Sequence, residues 1–242
     1  MMETRLDPAL FAENPARDSR FSVKDVWAEM TNFPPEDPAA IGEFLHRQMN
    51  EEINGLEISA RNLADFPDAD WELRMAIARQ CWDEARHIDM FRRCFEKRGV
   101  HVGKYPVMNF QYRILTHIDS LIGRLTVQNR SFEAAGIDAI QSAILESSAK
   151  AGETDLAELF DGQLADEVQH VRYANVWVDR LKRKEGSRAL LDLARAVSAA
   201  NRALHTVAGE ATTSYPVAAE LRREAGFTDE EIEAARALLA GH

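Results

Sequence analysis

The sequence contains very little cysteine, with two residues in 242. Two cysteines cannot supply a disulfide framework or a zinc-binding cysteine cluster. Cys81 and Cys94 fall within one predicted helix, about 20 Å apart along its axis, so they cannot form a disulfide with each other. The chemistry of this chain therefore depends on other side chains.

Long apolar runs and an excess of positive charge are also absent. No stretch of about 18 apolar residues could cross a bilayer, and residues 1–20 lack the apolar core of a signal peptide. We therefore expect a cytoplasmic protein without a membrane partner. With 29 basic against 40 acidic residues and a net charge of −11, we expect no nucleic-acid partner. Phosphate-binding glycine loops and the Gly-x-Ser-x-Gly elbow are missing as well.

Turn-forming residues are scarce, with 12 glycines and 8 prolines, whereas Ala, Leu, Glu and Arg are abundant. This composition predicts an all-α protein. We expect a single domain (1–242) with an N-terminal arm (1–37), a four-helix metal-binding core (38–184) and a C-terminal helical extension (185–242). The predicted elements are a short arm helix after Ser22, long helices near 38–62, 69–97, 108–150 and 154–184, and two or three helices after 187, the last with a capping box at Thr228–Glu231.

The motif Asp-Glu-x-x-His occurs twice, at Asp83–His87 and Asp166–His170. Its Glu and His are three residues apart, so both side chains leave the same face of a helix and can bind one metal ion. Chance alone gives roughly 0.7 Glu-x-x-His matches in such a composition, but only roughly 0.05 once the Asp is required. Finding the longer motif twice therefore predicts a metal site.

Two further glutamates complete the expected ligand set. Glu52 and Glu133 each precede a Glu-x-x-His motif by about the length of one helical hairpin, as if one hairpin were duplicated. Two Glu-x-x-His helices plus one Glu from each of two other helices form the ligand set of di-iron and di-manganese bundles. The predicted metal ligands are Glu52, Glu84, His87, Glu133, Glu167 and His170.

Other residues compete with the predicted metal ligands for the same roles. Glu51 and Glu57 are alternatives to Glu52, although they lie about 100° and 140° away from its stripe on the helix. Glu146 is an alternative to Glu133, but it lies too close to Glu167 in sequence for a hairpin to bring them level. The third Glu-x-x-His match, at Glu43–His46, lacks the Asp and is interpreted as unrelated to the site.

Other residues have predicted supporting roles beside the ligands. Asp83 and Asp166 are expected to hydrogen-bond the rings of the ligand histidines, because metal-bound histidine usually donates its other N–H to a carboxylate. The alternative is ion pairing to surface arginines. Four residues could line a pocket beside the metals or simply pack in the core: Cys81, Gly136, Ile137 and Tyr173.

The motifs together resemble the ferritin-like superfamily of rubrerythrins, bacterioferritins and di-iron oxygenases. More narrowly, the chain is similar over about residues 40–230 to a bacterial ferritin-like family labelled domain of unknown function 455. The segments that carry this resemblance are Glu52–Glu57, Asp83–His87, Phe132–Asp138, Asp166–His170, Tyr215–Val217 and Glu224–Phe227. In one departure, Asn50 stands where that family tends to have a histidine.

The resemblance implies an all-α, ferritin-like four-helix bundle with a di-metal centre. Its cofactor would be two iron ions, with manganese or a mixed pair as alternatives. The implied function is an oxidoreductase that activates dioxygen to oxidise a small-molecule substrate. As partners we expect an electron donor and a second copy of the chain in a homodimer. The alternatives are a ferroxidase or iron-handling protein and a di-metal peroxidase or catalase.

Overall fold

A computed structural model describes residues 18–34, 36–144, 154–208 and 215–240. Within these ranges the chain is mainly helical, with two very short strands. The elements in chain order are β1 (Val23–Lys24), α1 (Ala40–Asp65), α2 (Trp71–Glu96), β2 (Val107–Met108), α3 (Phe110–Thr116), α4 (Leu121–Val127), α5 (Ala134–Ala139), α6 (Thr154–Glu185), α7 (Ser187–Ala208), α8 (Ala219–Glu224) and α9 (Asp229–Ala240).

The chain divides into two compact units. The first contains the described residues up to Asp119 together with 198–208, and the second contains 120–197 and the described residues from 215 onward. The described residues of both units are mainly helical, so the predicted all-α fold class is confirmed. The single domain with boundaries at 37 and 184 stays a prediction. None of the described helices is long and apolar enough to cross a membrane.

In the first unit, α1 and α2 form an antiparallel hairpin. Pro67 and Asp68 break the helical pattern between them, and α1 ends where the Phe66 amide bonds the Asn62 carbonyl at 3.2 Å. Large apolar side chains then fill the space between the two helices. The fully buried ones in this unit include Leu45, Met49, Ile58, Leu73, Ile77, Phe91 and Phe95.

The prediction of a short arm helix after Ser22 is wrong. The structure has strand β1 there, paired in parallel with β2, and only a single 3₁₀ turn at Trp27–Glu29. The Ser22 carbonyl accepts the Val107 amide at 2.9 Å, so a partner far away in sequence satisfies this backbone. Two β-branched residues, Val23 and Val26, also weaken a helix here. Long-range pairing therefore overrides the local capping signal.

The single helix predicted over 108–150 is also wrong, because the described part of this stretch is interrupted. α3 ends at Thr116, and Ser120 starts α4 by accepting the Gly123 amide at 3.2 Å. Two wider helical turns of π geometry follow, at Gln128–Glu133 and Ile140–Ile144. Residues 145–150 lie outside the described residues.

In the second unit, α6 packs against α4, α5 and the π turn at Gln128–Glu133. The short helix α8 packs on α5 and α6, and α9 follows it. The predicted capping box of α9 is confirmed: the Glu231 carboxylate accepts the Thr228 amide at 3.0 Å, and the Thr228 hydroxyl accepts the Glu231 amide at 3.2 Å. The local sequence was therefore sufficient to predict where α9 begins.

A buried histidine in the first unit should make stability depend on pH. His46 is fully buried, and its Nε2 accepts the Gly103 amide at 2.8 Å. Burial, assisted by the charge of His101, lowers the pKa of His46 to about 4. The folded state therefore keeps this ring neutral, whereas the unfolded chain takes up a proton below its ordinary pKa of about 6.5.

We expect this histidine to remove on the order of 3 kcal/mol of folding stability as the pH falls from about 6.5 to 4. Urea unfolding of the wild type and of His46→Gln, which retains a side-chain acceptor for Gly103, measures the effect. The difference in unfolding free energy between them should shrink steadily over this range. A difference that does not change with pH would contradict the prediction.

Candidate metal centre

Helices α1 and α2 bring together a first ligand set, which comprises Glu52, Glu84 and His87. Glu52 comes from α1, while Glu84 and His87 lie one turn apart on α2, and all three are buried. The Nδ1 atom of His87 lies 3.0 Å from Glu52 Oε2 and 3.3 Å from Glu84 Oε2. One ligand atom from each residue falls within 4.8 Å of the others. This spacing suits three ligands of one ion.

Two neighbours determine where Glu84 lies. A Cβ atom on Gly55 of α1 would lie 3.1 Å from Glu84 Oε1, closer than ordinary contact, so the missing side chain makes room for this carboxylate. Gln80, one turn before Glu84 and fully buried, donates from Nε2 to Glu84 Oε1 at 2.9 Å. The carboxylate is therefore positioned by its own helix and by the facing helix.

The second ligand set comprises Glu133, Glu167 and His170, all in the second unit. Glu167 and His170 are buried on α6, and His170 Nδ1 lies 3.8 Å from Glu167 Oε2. Glu133, which is half-buried, ends the first π turn and offers a ligand atom within 4.8 Å of one on His170. In both ligand sets a histidine Nδ1 atom thus lies near at least one carboxylate.

The π turn also supplies the hydrogen-bond donors that hold Glu133. Asn129 donates from Nδ2 to Glu133 Oε2 at 2.7 Å, and Gln128 donates from Nε2 to Oε1 at 3.4 Å. Asn129 Nδ2 also lies 3.5 Å from the Tyr173 hydroxyl. Sequence reasoning missed Asn129 and Gln80, although each stands four residues before a predicted ligand, the spacing at which helical side chains interact.

The charge in each ligand set favours a bound cation. Even a protonated imidazole would balance only one of two carboxylates, and burying an unbalanced charge is costly. A divalent cation removes that imbalance. Carboxylate oxygens and imidazole nitrogens are ligands that suit iron and manganese. These buried Glu and His side chains could therefore bind metal.

The competing glutamate Glu51 has a different environment. It is half-buried and accepts a hydrogen bond from Gln111 Nε2 at 2.6 Å. Burial raises the pKa of Glu51 to about 7, although the positive charge of Arg47 opposes the shift. Neither Glu51 nor Glu57 belongs to a group of three candidate ligands among the described residues. Glu146 lies outside the described residues.

The third Glu-x-x-His match serves other contacts. Glu43 Oε1 lies 3.1 Å from Arg47 Nε, and burial raises the pKa of Glu43. His46 faces Gly103 instead of a carboxylate. Within the described residues, this pair is not part of a candidate ligand group.

The two aspartates expected to bond the ligand histidines, Asp83 and Asp166, lie on the same helices as those histidines. Asp83 is buried and accepts from Arg86 at 2.9 Å and from Arg79 at 3.3 Å. Asp166 is half-buried on α6. A hydrogen bond from either aspartate to a ligand histidine stays a prediction.

The four residues proposed to line a pocket have mixed environments. Cys81 is half-buried, with Sγ 4.0 Å from the Leu56 carbonyl oxygen. Ile137 is fully buried, and Tyr173 contacts Asn129. A Cβ atom on Gly136 would meet nothing within 4 Å, so there is open space beside it. Their role beside a metal stays a prediction.

Asn50, which replaces the histidine typical of the resembled family, has a structural contact. Its side chain is buried and donates from Nδ2 to the Met108 carbonyl oxygen at 2.7 Å. Asn54, one turn later on α1, donates from its own Nδ2 to the Asn50 carbonyl at 2.7 Å. Asn50 thus connects α1 to β2 through this hydrogen bond.

Buried carboxylates beside imidazoles, carried on paired helices, define an all-α protein with a candidate metal site. A family profile described as "Protein of unknown function (DUF455)" matches residues 3–233, so the chain belongs to this family. No protein of curated function matches the sequence.

Among solved structures, the chain is similar to one described as "Protein 19 with aldehyde deformylating oxidase activity from Synechococcus". The two share 17% sequence identity with a TM-score of 0.49, and the match covers 84% of this chain and 99% of the other. A likeness of this degree says nothing about the substrate of the present protein.

Proposed function

We propose that this protein is a non-haem di-iron oxidoreductase that uses dioxygen to oxidise a small organic molecule. The observation that carries the proposal is that each unit brings its ligand histidine close to glutamates: His87 lies near Glu52 and Glu84, and His170 lies near Glu133 and Glu167. A duplicated hairpin that keeps three ligand-type side chains in both copies supports binding of two metal ions.

The chain's own residues would hold and orient the metals. Glu52, Glu84 and His87 of the first ligand set and Glu133, Glu167 and His170 of the second would hold the metal ions. His87 would bind through Nδ1, the nitrogen that faces the two carboxylates of its set. The amide of Gln80 would keep Glu84 oriented by its hydrogen bond of 2.9 Å.

Iron bound in such a set supplies redox chemistry with dioxygen that no protein side chain provides. The protein would exclude water from the first ligand set with the fully buried side chains of Ile77 and Phe91 on α2. The open space beside Gly136 is a candidate position for a small substrate near Glu133. Reduction of the metals would need an electron donor.

Metal analysis and oxygen uptake test the proposal directly. Protein loaded with Fe(II) without oxygen and then desalted should contain two iron ions per chain. On exposure to air, the loaded protein should take up dioxygen at once, and uptake should continue only while a reductant is supplied. An oxygen electrode and elemental analysis measure both quantities.

Three results would contradict the proposal. Iron that accumulates well beyond two ions per chain would favour iron storage. Fast disproportionation of hydrogen peroxide by a manganese-loaded protein would favour a catalase. Failure to retain iron or manganese at all would exclude a metal enzyme of this type.

A further inference from the structure

Helix α2 has an apolar stripe on its solvent face, formed by Trp71, Met75, Ala78 and Trp82. The two indoles are 70% and 66% exposed and Met75 is 52% exposed, which is unusual for such large apolar side chains. Ala78 is exposed as well. At about 100° per residue, the four side chains fall within about 60° around the helix.

This stripe lies opposite the face that builds the first unit. The buried positions of α2, among them Ile77, Gln80 and Glu84, point about 130–170° away from it and pack toward α1. The stripe is therefore not needed for the packing of the α1–α2 hairpin. Exposed tryptophans in a contiguous row are typical of a surface that binds a partner.

The spacing of the stripe is that of a two-helix coiled coil. Successive members are four, three and four residues apart, which is the alternation of the a and d positions of a heptad. The spacing is the same read from either end, and a tryptophan stands at each end. An antiparallel copy of α2 would place Trp71 against the partner's Trp82, and Met75 against the partner's Ala78, a large side chain against a small one.

The charges beside the stripe are also self-complementary. Glu72 and Arg79 are exposed on the same flank, about 80–100° from Trp71 around the helix. A two-fold axis between antiparallel helices keeps that flank on the same side in both copies. Glu72 would then face the partner's Arg79, and Arg79 the partner's Glu72, as flanking charges do in coiled coils.

We propose that the Trp71–Trp82 face of α2 is a homodimer interface in which two copies of this helix pair antiparallel about a two-fold axis. Interfaces of this symmetry use the same surface on both subunits, which the stripe satisfies. Four indoles would bury roughly 600 Å², about half of the ~1,200 Å² that a specific interface needs. Met75, Ala78 and the flanking charges would add to this area.

The mass of the full-length protein in solution tests the interface. Light scattering at about 0.15 M salt, where the net charge of each chain is screened, should give twice the chain mass of 27.2 kDa. Trp82→Glu should weaken the dimer by at least about 100-fold, because it puts a charge into the apolar row. Leu238→Glu, at an equally exposed leucine on α9, is the matched control and should remain dimeric.

A charge exchange makes the test specific for the antiparallel register. Glu72→Arg alone and Arg79→Glu alone should each weaken the dimer by about 10-fold, because like charges then face each other. Arg79→Glu also removes a hydrogen bond to Asp83, which keeps its bond from Arg86, so the mixture below is the measurement that tests the interface itself. An equal mixture of the two variants should recover it, since the arginines of one variant would then face the glutamates of the other. Circular dichroism would verify that each variant is folded.

Several outcomes would overturn this inference. They include a monomeric wild type at about 100 µM, a dimer that survives Trp82→Glu, and a mixture of charge variants that stays monomeric. A monomeric wild type that loses thermal stability on Trp82→Glu would mean that a segment of the same chain covers the stripe. A monomer that binds a reductase only through the stripe would assign the surface to an electron donor.

Discussion

Replacing Glu84 with glutamine should weaken metal binding by about 100-fold or more, whereas the same change at Glu43 should leave it unaltered. Losing only an outer partner of a metal ligand already costs 10–100-fold in affinity, so losing a ligand charge should cost at least that much. Glu43 has the same spacing to a histidine, but it pairs with Arg47. The two substitutions are therefore matched in chemistry and in sequence context.

Thermal unfolding with and without metal measures this effect. A ligand that binds the folded state at 100 times its dissociation constant adds about 2.7 kcal/mol, so metal should raise the Tm of the wild type and of Glu43→Gln. Metal should raise the Tm of Glu84→Gln clearly less, because only the second ligand set remains intact. Without metal, Glu84→Gln should be at least as stable as the wild type, because one buried negative charge is gone.

Equal metal stabilisation of Glu84→Gln and Glu43→Gln would rule out the first ligand set. A selective loss in Glu84→Gln together with unchanged oxygen uptake would separate metal binding from the proposed oxidation chemistry. His87→Gln and His46→Gln form a second matched pair, because His46 bonds a backbone amide instead of a carboxylate.

The long helices could be predicted because their determinants are local. Pro67 and Asp68 between α1 and α2 interrupt the helical pattern in the sequence itself, and so does the Thr228 capping box. By contrast, strand β1 depends on the Val107 backbone, far away in sequence. No local signal at Ser22 reports that partner, which is why the arm was predicted as a helix.

The interruptions after α3 have a similar explanation. The start of α4 at Ser120 follows an ordinary capping rule, but an apolar pattern that continues on both sides hides it. The π turn at Gln128–Glu133 leaves hardly any trace in composition, because one wider turn changes only the direction of later side chains. The bonds of Gln128 and Asn129 to Glu133 could therefore be found only from coordinates.

For the candidate metal ligands, the spacing of residues in the sequence was sufficient to predict which side chains lie together. A Glu and a His three residues apart must share a helix face, so Glu84 could be placed beside His87 without knowing the tertiary structure. The contact of Gly55 with Glu84 could not be foreseen, because it depends on how closely α1 approaches α2. Sequence thus specifies side chains along one helix better than contacts between helices.

Asp138 illustrates a residue whose importance became clear only from the structure. It is buried on α5 and lies within the motif Phe132–Asp138, yet it is not a candidate ligand. Its Oδ2 lies 2.6 Å from Arg222 Nη2, and its Oδ1 accepts Arg222 Nε at 3.0 Å and the Ala218 amide at 2.9 Å. One carboxylate thus fixes the start of α8 to α5.

Replacing Asp138 with alanine should destabilise the second unit by about 3 kcal/mol, the lower end of the range for breaking a buried ion pair, because the half-buried Arg222 loses its counter-charge. Asp161→Ala, at an exposed position on α6, is the control and should change stability by less than about 0.5 kcal/mol. Urea unfolding measures both, and hydrogen exchange of the Ala225 amide reports on α8 locally.

The double variant Asp138→Ala, Arg222→Leu distinguishes a buried ion pair from simple loss of packing. If the cost of Asp138→Ala comes mainly from the stranded arginine charge, removing that charge should recover part of the stability, and the double variant should be more stable than Asp138→Ala alone. If the two losses instead add up, the arginine tolerates losing its partner. The carboxylate would then act mainly through the Ala218 amide at the start of α8.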